Sequence, residues 1–142
     1  MSWSHQMSLS PMPTSAARAR NFVSTHLIRH GLTHLLPDVR LVAGELATNA
    51  FGLAPVALTV TLSGDDTRVL LTVHDDNALE PSAAGSDVMA TRGRGLDIVA
   101  SVSHDWGVSC TVHGTRSVWA SFGTEHEPRA SPTDTRTRAL WG

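Results

Sequence analysis

The chain has 142 residues, of which 41% are hydrophobic and 17% are charged, a length typical of one domain and too short for two catalytic domains. The net charge of −2 excludes the broad basic surface that binds nucleic acid, and the single cysteine, Cys110, excludes an internal disulfide and a cysteine-based zinc site. Apolar runs of about three residues fall far short of a membrane span, and the first residues do not resemble a secretory signal. We therefore expect a cytoplasmic protein that contacts neither membrane nor nucleic acid.

The first half of the chain predicts one strand and two helices. Bulky side chains alternate with small polar ones along Trp3–Leu9, which is the period of a strand. After two prolines, an amphipathic stripe predicts a helix from Ser15 to near Gly31. A second apolar stripe predicts a helix from Pro37 to near Gly52.

The second half predicts two hairpins around a loop and a helix. The hairpins follow from β-branched runs separated by turn residues, and the loop is long enough to be functional. In chain order these are the strands Val56–Leu62 and Val69–His74, the loop Asp75–Arg92, the helix Gly93–Val102, the strands Asp105–Val112 and Ser117–Phe122, and a polar tail over Thr124–Gly142.

Antiparallel hairpins with helices set to one side predict an α/β (α+β) two-layer sandwich. Its sheet is expected to be mixed, mostly antiparallel, and covered by helices on one face. We expect residues 1–123 to form a single domain. The tail, residues 124–142, has too few apolar residues to form a core and is expected to be disordered.

Two polar residues share one face of the second predicted helix. Glu45 and Asn49 are four positions apart, so a carboxylate and an amide oxygen project side by side. Such oxygens suit a magnesium ion or a water, and Glu45 is a possible base for a hydroxyl group. The alternative is a polar pair on a solvated helix face.

A carboxylate is predicted at the end of a strand, next to a strand serine. Asp75 stands where the strand meets the loop and suits a hydrogen bond from an exocyclic amine such as that of adenine. Ser117 begins the last strand, and its hydroxyl is placed to support the Asp75 carboxylate. The alternatives are an aspartate that starts a turn and an ordinary strand serine.

Two glycines stand at the start of the third predicted helix. Gly93 and Gly95 flank Arg94 at the helix start, where backbone N–H groups favour a phosphate and the guanidinium of Arg92 or Arg94 can add a charge contact. The alternative is the flexible end of a loop, because a single Gly-x-Gly is weakly specific.

The four motifs are the helical Glu45 and Asn49, the strand-end Asp75, the Gly93–Leu96 segment and the strand residue Ser117. In this order and spacing they resemble the motifs of the GHKL ATP-binding superfamily, and within it those of the actinobacterial anti-sigma factor and serine-protein kinase group. The segments LVAGELATNA, GRGLDIV, DWGV and SVWASF carry the resemblance, which covers about residues 5–123. It implies the Bergerat-type histidine-kinase-like ATPase fold, with ATP and Mg²⁺ as ligands. It also implies phosphorylation of a serine on an anti-sigma factor antagonist, sequestration of a sigma factor, and a possible homodimer.

The resemblance also implies a role for each matching residue. Glu45 would be the catalytic base or water positioner, and Asn49 would hold Mg²⁺. Asp75 would bind the adenine amino group, with support from Ser117. The end of the ATP lid would contact the phosphates through Gly93, Arg94, Gly95 and Leu96.

Two departures from that group's motifs define an alternative function. After Asn49 the chain lacks the group's usual basic residue and histidine, and from Asp75 it reads DDNA in place of the usual Asp-x-Gly or Asp-x-Ser-Pro. The alternative is a catalytically degenerate regulator on the same fold that binds a partner without phosphoryl transfer. An unrelated α/β domain with chance motifs is the remaining option.

Three histidines recur at four-residue spacing. His26, His30 and His34 would share one face of a continuous helix, as metal ligands can. Because Gly31 interrupts the helix and no acidic residue shares the stripe, the sequence favours a solvated or partly buried face instead.

Overall fold

The computed structural model describes residues 2–10, 12–53, 57–75, 93–110 and 116–125, with the backbone alone described at residues 49–53, 93–96 and 110. Within these ranges the chain forms the following strands and helices, in chain order. They are β1 (Trp3–Leu9), α1 (Ser15–Arg29), a short 3-10 helix (Thr33–Leu35), α2 (Leu36–Leu53), β2 (Leu58–Gly64), β3 (Arg68–Asp75), α3 (Gly93–Val102), β4 (Asp105–Cys110) and β5 (Arg116–Gly123).

The predicted elements are confirmed in type and order, with corrections at their ends. Asp75, which the sequence assigned to the loop, is the last residue of β3. The 3-10 helix before α2 was not predicted. The predicted strand start at Val56, the end of the fourth strand at residues 111–112, the loop over 76–92 and the tail from residue 126 lie outside the described residues.

The break between the first two helices has a clear cause. Gly31 adopts a φ of +72°, a conformation that residues with a Cβ rarely adopt. The N–H of Leu32 bonds to the carbonyl oxygen of Leu27 at 2.8 Å, and that of Gly31 bonds to Ile28 at 3.1 Å. This Schellman pattern ends α1 and turns the chain toward α2.

The five described strands form one sheet in the order β1-β2-β3-β5-β4. Each neighbouring pair is antiparallel, so the expectation of a mixed sheet is wrong for these strands, while a mostly antiparallel sheet is confirmed. In the centre of the sheet, Val73 of β3 lies opposite Val60 of β2 and Val118 of β5. The contact between β3 and β5 joins the two predicted hairpins.

The helices cover one face of this sheet. Side chains alternate between the two faces of a strand, and the buried residues of β2 and β3 occupy the helix side. α1 packs on β1 and β2, α2 on β3 and β5, and α3 on β4, while α1 and α2 also pack together. The interior between the layers holds fully buried aliphatic side chains, among them Leu27, Val42, Leu62 and Leu71. The described residues therefore form an α+β fold with a helix layer on an antiparallel sheet.

The other sheet face carries mostly small polar side chains, with one aromatic residue on β5. Trp119 lies over Gly107 of the neighbouring strand, where a Cβ atom would stand 2.7 Å from the indole ring. A larger residue at position 107 would displace that ring. None of the helices in the described part of the chain has the length and apolar character needed to cross a membrane.

Candidate functional site

The topology brings several predicted site residues to one end of the domain. Asp75 ends β3 and lies opposite Leu58, the first residue of β2. The last residue of α2, Leu53, is five positions before Leu58, so at most about 18 Å of extended chain separates them. The C-terminal part of α2, which holds Asn49, is thereby kept near the Asp75 end of the sheet.

The start of α3 lies toward the same end. The short link after Val102 leads into Asp105, which lies opposite Ser121 at the far end of β5. α3 packs on β4 and α2, so its ten residues, about 15 Å long, must run back over the sheet toward Arg116. The first turn of α3, with Gly93 and Gly95, is thus directed to the Asp75 end.

A buried ion pair occupies this end of the sheet. The Arg116 Nη2 donates to Asp75 Oδ2 at 3.2 Å, and the two residues are 8% and 2% exposed. Their strands are in register at His74 and Ser117, so Asp75 and Arg116 are the next facing pair and share the helix-covered side. A carboxylate so buried requires such a partner, because an isolated buried charge is strongly disfavoured.

Ser117 lies on the other face of the sheet. Its Oγ is 2.7 Å from His74 Nδ1, the residue directly opposite on β3. Strand alternation therefore directs Ser117 and Asp75 to opposite sides. The expected support of the Asp75 carboxylate by Ser117 is wrong, and Arg116 makes that contact instead.

Glu45 lies on α2, in the helix layer above the sheet. It is half-buried, and its neighbours Leu46 and Ala47 are fully in the core. Asn49 follows one turn later on the same helix face, but its side chain lies outside what the structure describes, and of Gly93, Arg94, Gly95 and Leu96 only the backbone is described. Their expected contacts with Mg²⁺ and phosphates stay predictions.

Arg116 is the residue that sequence reasoning missed. Its signal was nevertheless present, because Arg116, Val118 and Ala120 alternate along β5, which puts the arginine on the core-facing side. An arginine in a core-facing strand position needs a buried anionic partner. The predicted strand began one residue too late, at Ser117, and so excluded it.

The three histidines at four-residue spacing separate into two places. His26 lies in α1 and His30 caps its C-terminus, where both rings contact β1. His34 lies beyond the break, and its Nε2 donates to the carbonyl oxygen of Thr124 at 2.7 Å. In the ranges that the structure describes, no three His, Cys, Asp or Glu side chains are arranged to hold a metal ion.

An open depression of about 620 Å³ lies at the opposite end of the sheet. Trp3, Ser63, Arg68 and Leu70 are among its lining residues, and it contains no predicted site residue. We assign the candidate site to the Asp75 end, because a buried charge pair, α2 and α3 converge there.

Comparison of the sequence with models of known protein families gave no match, and comparison with curated proteins gave none.

Proposed function

We propose that the protein is a cytoplasmic ATP-binding regulator of the GHKL type. It would transfer the γ-phosphoryl group of ATP to a serine of an anti-sigma factor antagonist and sequester a sigma factor, with a homodimer as a possible working form. The single observation that supports this most is the buried Asp75 carboxylate, at the end of a strand and on the face that the helices cover.

The proposed chemistry assigns the described residues distinct tasks. Asp75 would accept a hydrogen bond from the adenine amino group, in a setting dry enough to make that bond selective. Arg116 would orient the carboxylate through the bond that it already makes. The N–H groups at the start of α3 would receive the phosphates, as helix N-termini do.

Glu45 and Asn49 would act on the phosphoryl group. A half-buried carboxylate on α2 suits the activation or orientation of a serine hydroxyl. Carboxylate and amide oxygens are ligands that Mg²⁺ accepts, and the ion would neutralise the charge of the phosphates. Positioning and charge neutralisation account for most of the catalysis in phosphoryl transfer.

Calorimetric titration with ATP tests the nucleotide site. We expect magnesium-dependent binding that Asp75→Asn abolishes, because the amide cannot replace the carboxylate as acceptor from both the amine and Arg116. Asp66→Asn is the matched control, since Asp66 is an exposed aspartate at the other end of the same sheet. Failure to bind ATP at millimolar concentration would refute the proposed function.

Transfer of labelled γ-phosphate to protein serine tests the enzymatic part. In an extract of the cells that make the protein, the wild type should produce a labelled phosphoserine protein. Glu45→Gln should lose the transfer while it retains ATP binding, because the substitution removes a base and leaves the adenine contacts. Equal transfer by both proteins would exclude Glu45 as the base.

One observation favours a second function, a degenerate regulator that binds a partner without catalysis. The guanidinium of Arg116 already occupies Asp75 Oδ2, so the carboxylate has a structural partner that a nucleotide would need to share or displace. If the protein has this second function, Asp75→Asn reduces the stability of the fold, and neither the wild type nor the variant binds ATP. The titration above distinguishes the two functions.

A further inference from the structure

An aromatic cluster holds the edge strand β1 against the end of α1. Four rings form it, and we call Trp3, His5, His26 and His30 the histidine cluster. The Trp3 and His30 rings stack with centroids 3.9 Å apart and an interplanar angle of 9°. His5 stacks on His26 at 3.8 Å and 12°. Two stacked pairs thus connect alternate residues of the strand to successive turns of the helix.

The cluster also contains a hydrogen bond between two imidazoles. The Nε2 atoms of His5 and His30 are 2.9 Å apart, so one nitrogen must donate and the other must accept. If both rings are protonated, each Nε2 carries a hydrogen and the bond is replaced by repulsion of two cations. The arrangement therefore requires that at least one of these histidines stays neutral.

The surroundings of the cluster oppose further positive charge. Burial lowers the pKa of His26, with smaller contributions from His5, Arg29 and His30. The Nδ1 atom of His26 is buried and has no hydrogen-bond partner among the described residues. Burial and then His5 lower the pKa of His30.

The neighbouring elements supply little compensation. On β2, the residues opposite Trp3 and His5 are Gly64 and Leu62, which carry no charge. On α1, the charged neighbour of His26 is Arg29, a cation. Asp65 lies beside Trp3 at the turn between β2 and β3, where its Oδ1 accepts bonds from Thr67 and Arg68. That carboxylate is held by its own turn rather than by the histidines.

We propose that the histidine cluster is a pH-sensitive clamp that holds the Trp3 end of β1 on α1 at neutral pH and releases it in acid. β1 is an edge strand, and all seven of its residues are in register with β2. Its other end is anchored by Leu9, which is 1% exposed, so release begins at Trp3. Release uncovers the outer edge of β2, and unpaired strand edges pair readily with other chains.

The direction of the pH dependence follows from linkage. Histidines with a lowered pKa in the clamped state take up protons when the clamp opens. The clamp is therefore at full strength above pH about 6.5, the ordinary histidine value, and weakens as the pH falls through the lowered values of His26 and His30.

Amide hydrogen exchange of the full chain between about pH 7.5 and about pH 5 tests the proposal. After correction for intrinsic exchange, we expect the opening constant of the β1 amides to rise as the pH falls below about 6, with a ceiling of about tenfold per pH unit for each histidine that takes up a proton. The amides of β3, a central strand, should show no such increase. Identical pH dependence in β1 and β3 would overturn the proposal.

Variants localise the effect. His30→Gln should reduce the pH slope of the β1 amides, because it removes one proton-binding group and the imidazole bond. His104→Gln should leave the slope unchanged, because His104 is exposed and lies between α3 and β4. An unchanged slope in His30→Gln would refute the clamp. Side-chain NMR titration of the wild type needs no variant, and ordinary pKa values for both His26 and His30 would refute it as well.

Discussion

The ion pair between Arg116 and Asp75 makes a quantitative prediction about stability. Both side chains are more than nine-tenths buried, and their contact is 3.2 Å long. Substitution of Arg116 by Met leaves the Asp75 carboxylate buried without its cation. Loss of one partner of a buried pair costs about 3–5 kcal/mol, a large part of the roughly 5–15 kcal/mol that stabilises a typical domain. For a domain of this size, the melting temperature should fall by roughly 10–20 °C.

A double-mutant cycle measured by urea unfolding tests this reasoning. Asp75→Leu alone should be about as damaging, because it leaves the guanidinium unpaired. The double variant Asp75→Leu/Arg116→Met should regain most of the lost free energy of unfolding, since an apolar pair of similar volume replaces the ions. Single losses below about 1 kcal/mol, or a double loss equal to the sum of the single losses, would refute a tightly coupled buried pair.

Three further predictions concern the fold. Leu71→Ala should lower the free energy of unfolding by about 2–5 kcal/mol, because Leu71 is fully buried. Leu70→Ala should lower it by less than about 1 kcal/mol, because Leu70 is 38% exposed on the open face. Equal losses would contradict the assignment of these residues to opposite faces of the sheet. Gly31→Ala should lower the free energy of unfolding by about 1–2 kcal/mol, because Gly31 has a φ of +72°. Gly123 has equally open surroundings and no positive φ, so Gly123→Ala should change the free energy of unfolding by less than about 0.5 kcal/mol. The backbone N–H groups of Thr67 and Arg68 lower the pKa of Asp65. The contribution of Asp65 to the stability of the fold is therefore present above its ordinary pKa, near 4, and is lost as the pH falls through the lowered pKa. Acid unfolding of Asp65→Asn should therefore depend less on pH below about pH 4 than that of the wild type, and identical curves would argue against this turn bond.

Local patterns were sufficient to predict the strands and the α-helices. The alternation along β1 and the apolar stripe of α1 follow directly from the geometry of strands and helices, and the structure confirms both. Gly31 predicted the end of α1, because few other residues tolerate its backbone conformation. The expectation of helices on one side of a mostly antiparallel sheet is also confirmed, and it followed from the hairpin pattern of the strands.

Contacts between distant segments were harder to predict. The pairing of β3 with β5 sets which side chains face each other, and nothing in either strand alone specifies that register. The choice of Ser117 rather than Arg116 as the partner of Asp75 was an error of one residue, which moves a side chain to the opposite face of a sheet. The interaction of His5 with His26 and His30 also depends on how β1 packs against α1, which the four-residue spacing does not contain.

The most direct test of the account is NMR mapping of the amides that respond to Mg-ATP. We predict that ATP with Mg²⁺ shifts the amides of Asp75, Arg116 and the first turn of α3, and that Asp75→Asn removes these changes. The amides of Trp3 and Leu70, which line the depression at the other end of the sheet, should not respond. No response at millimolar Mg-ATP, or changes confined to the Trp3 end, would contradict the assignment of a nucleotide site to the Asp75 end.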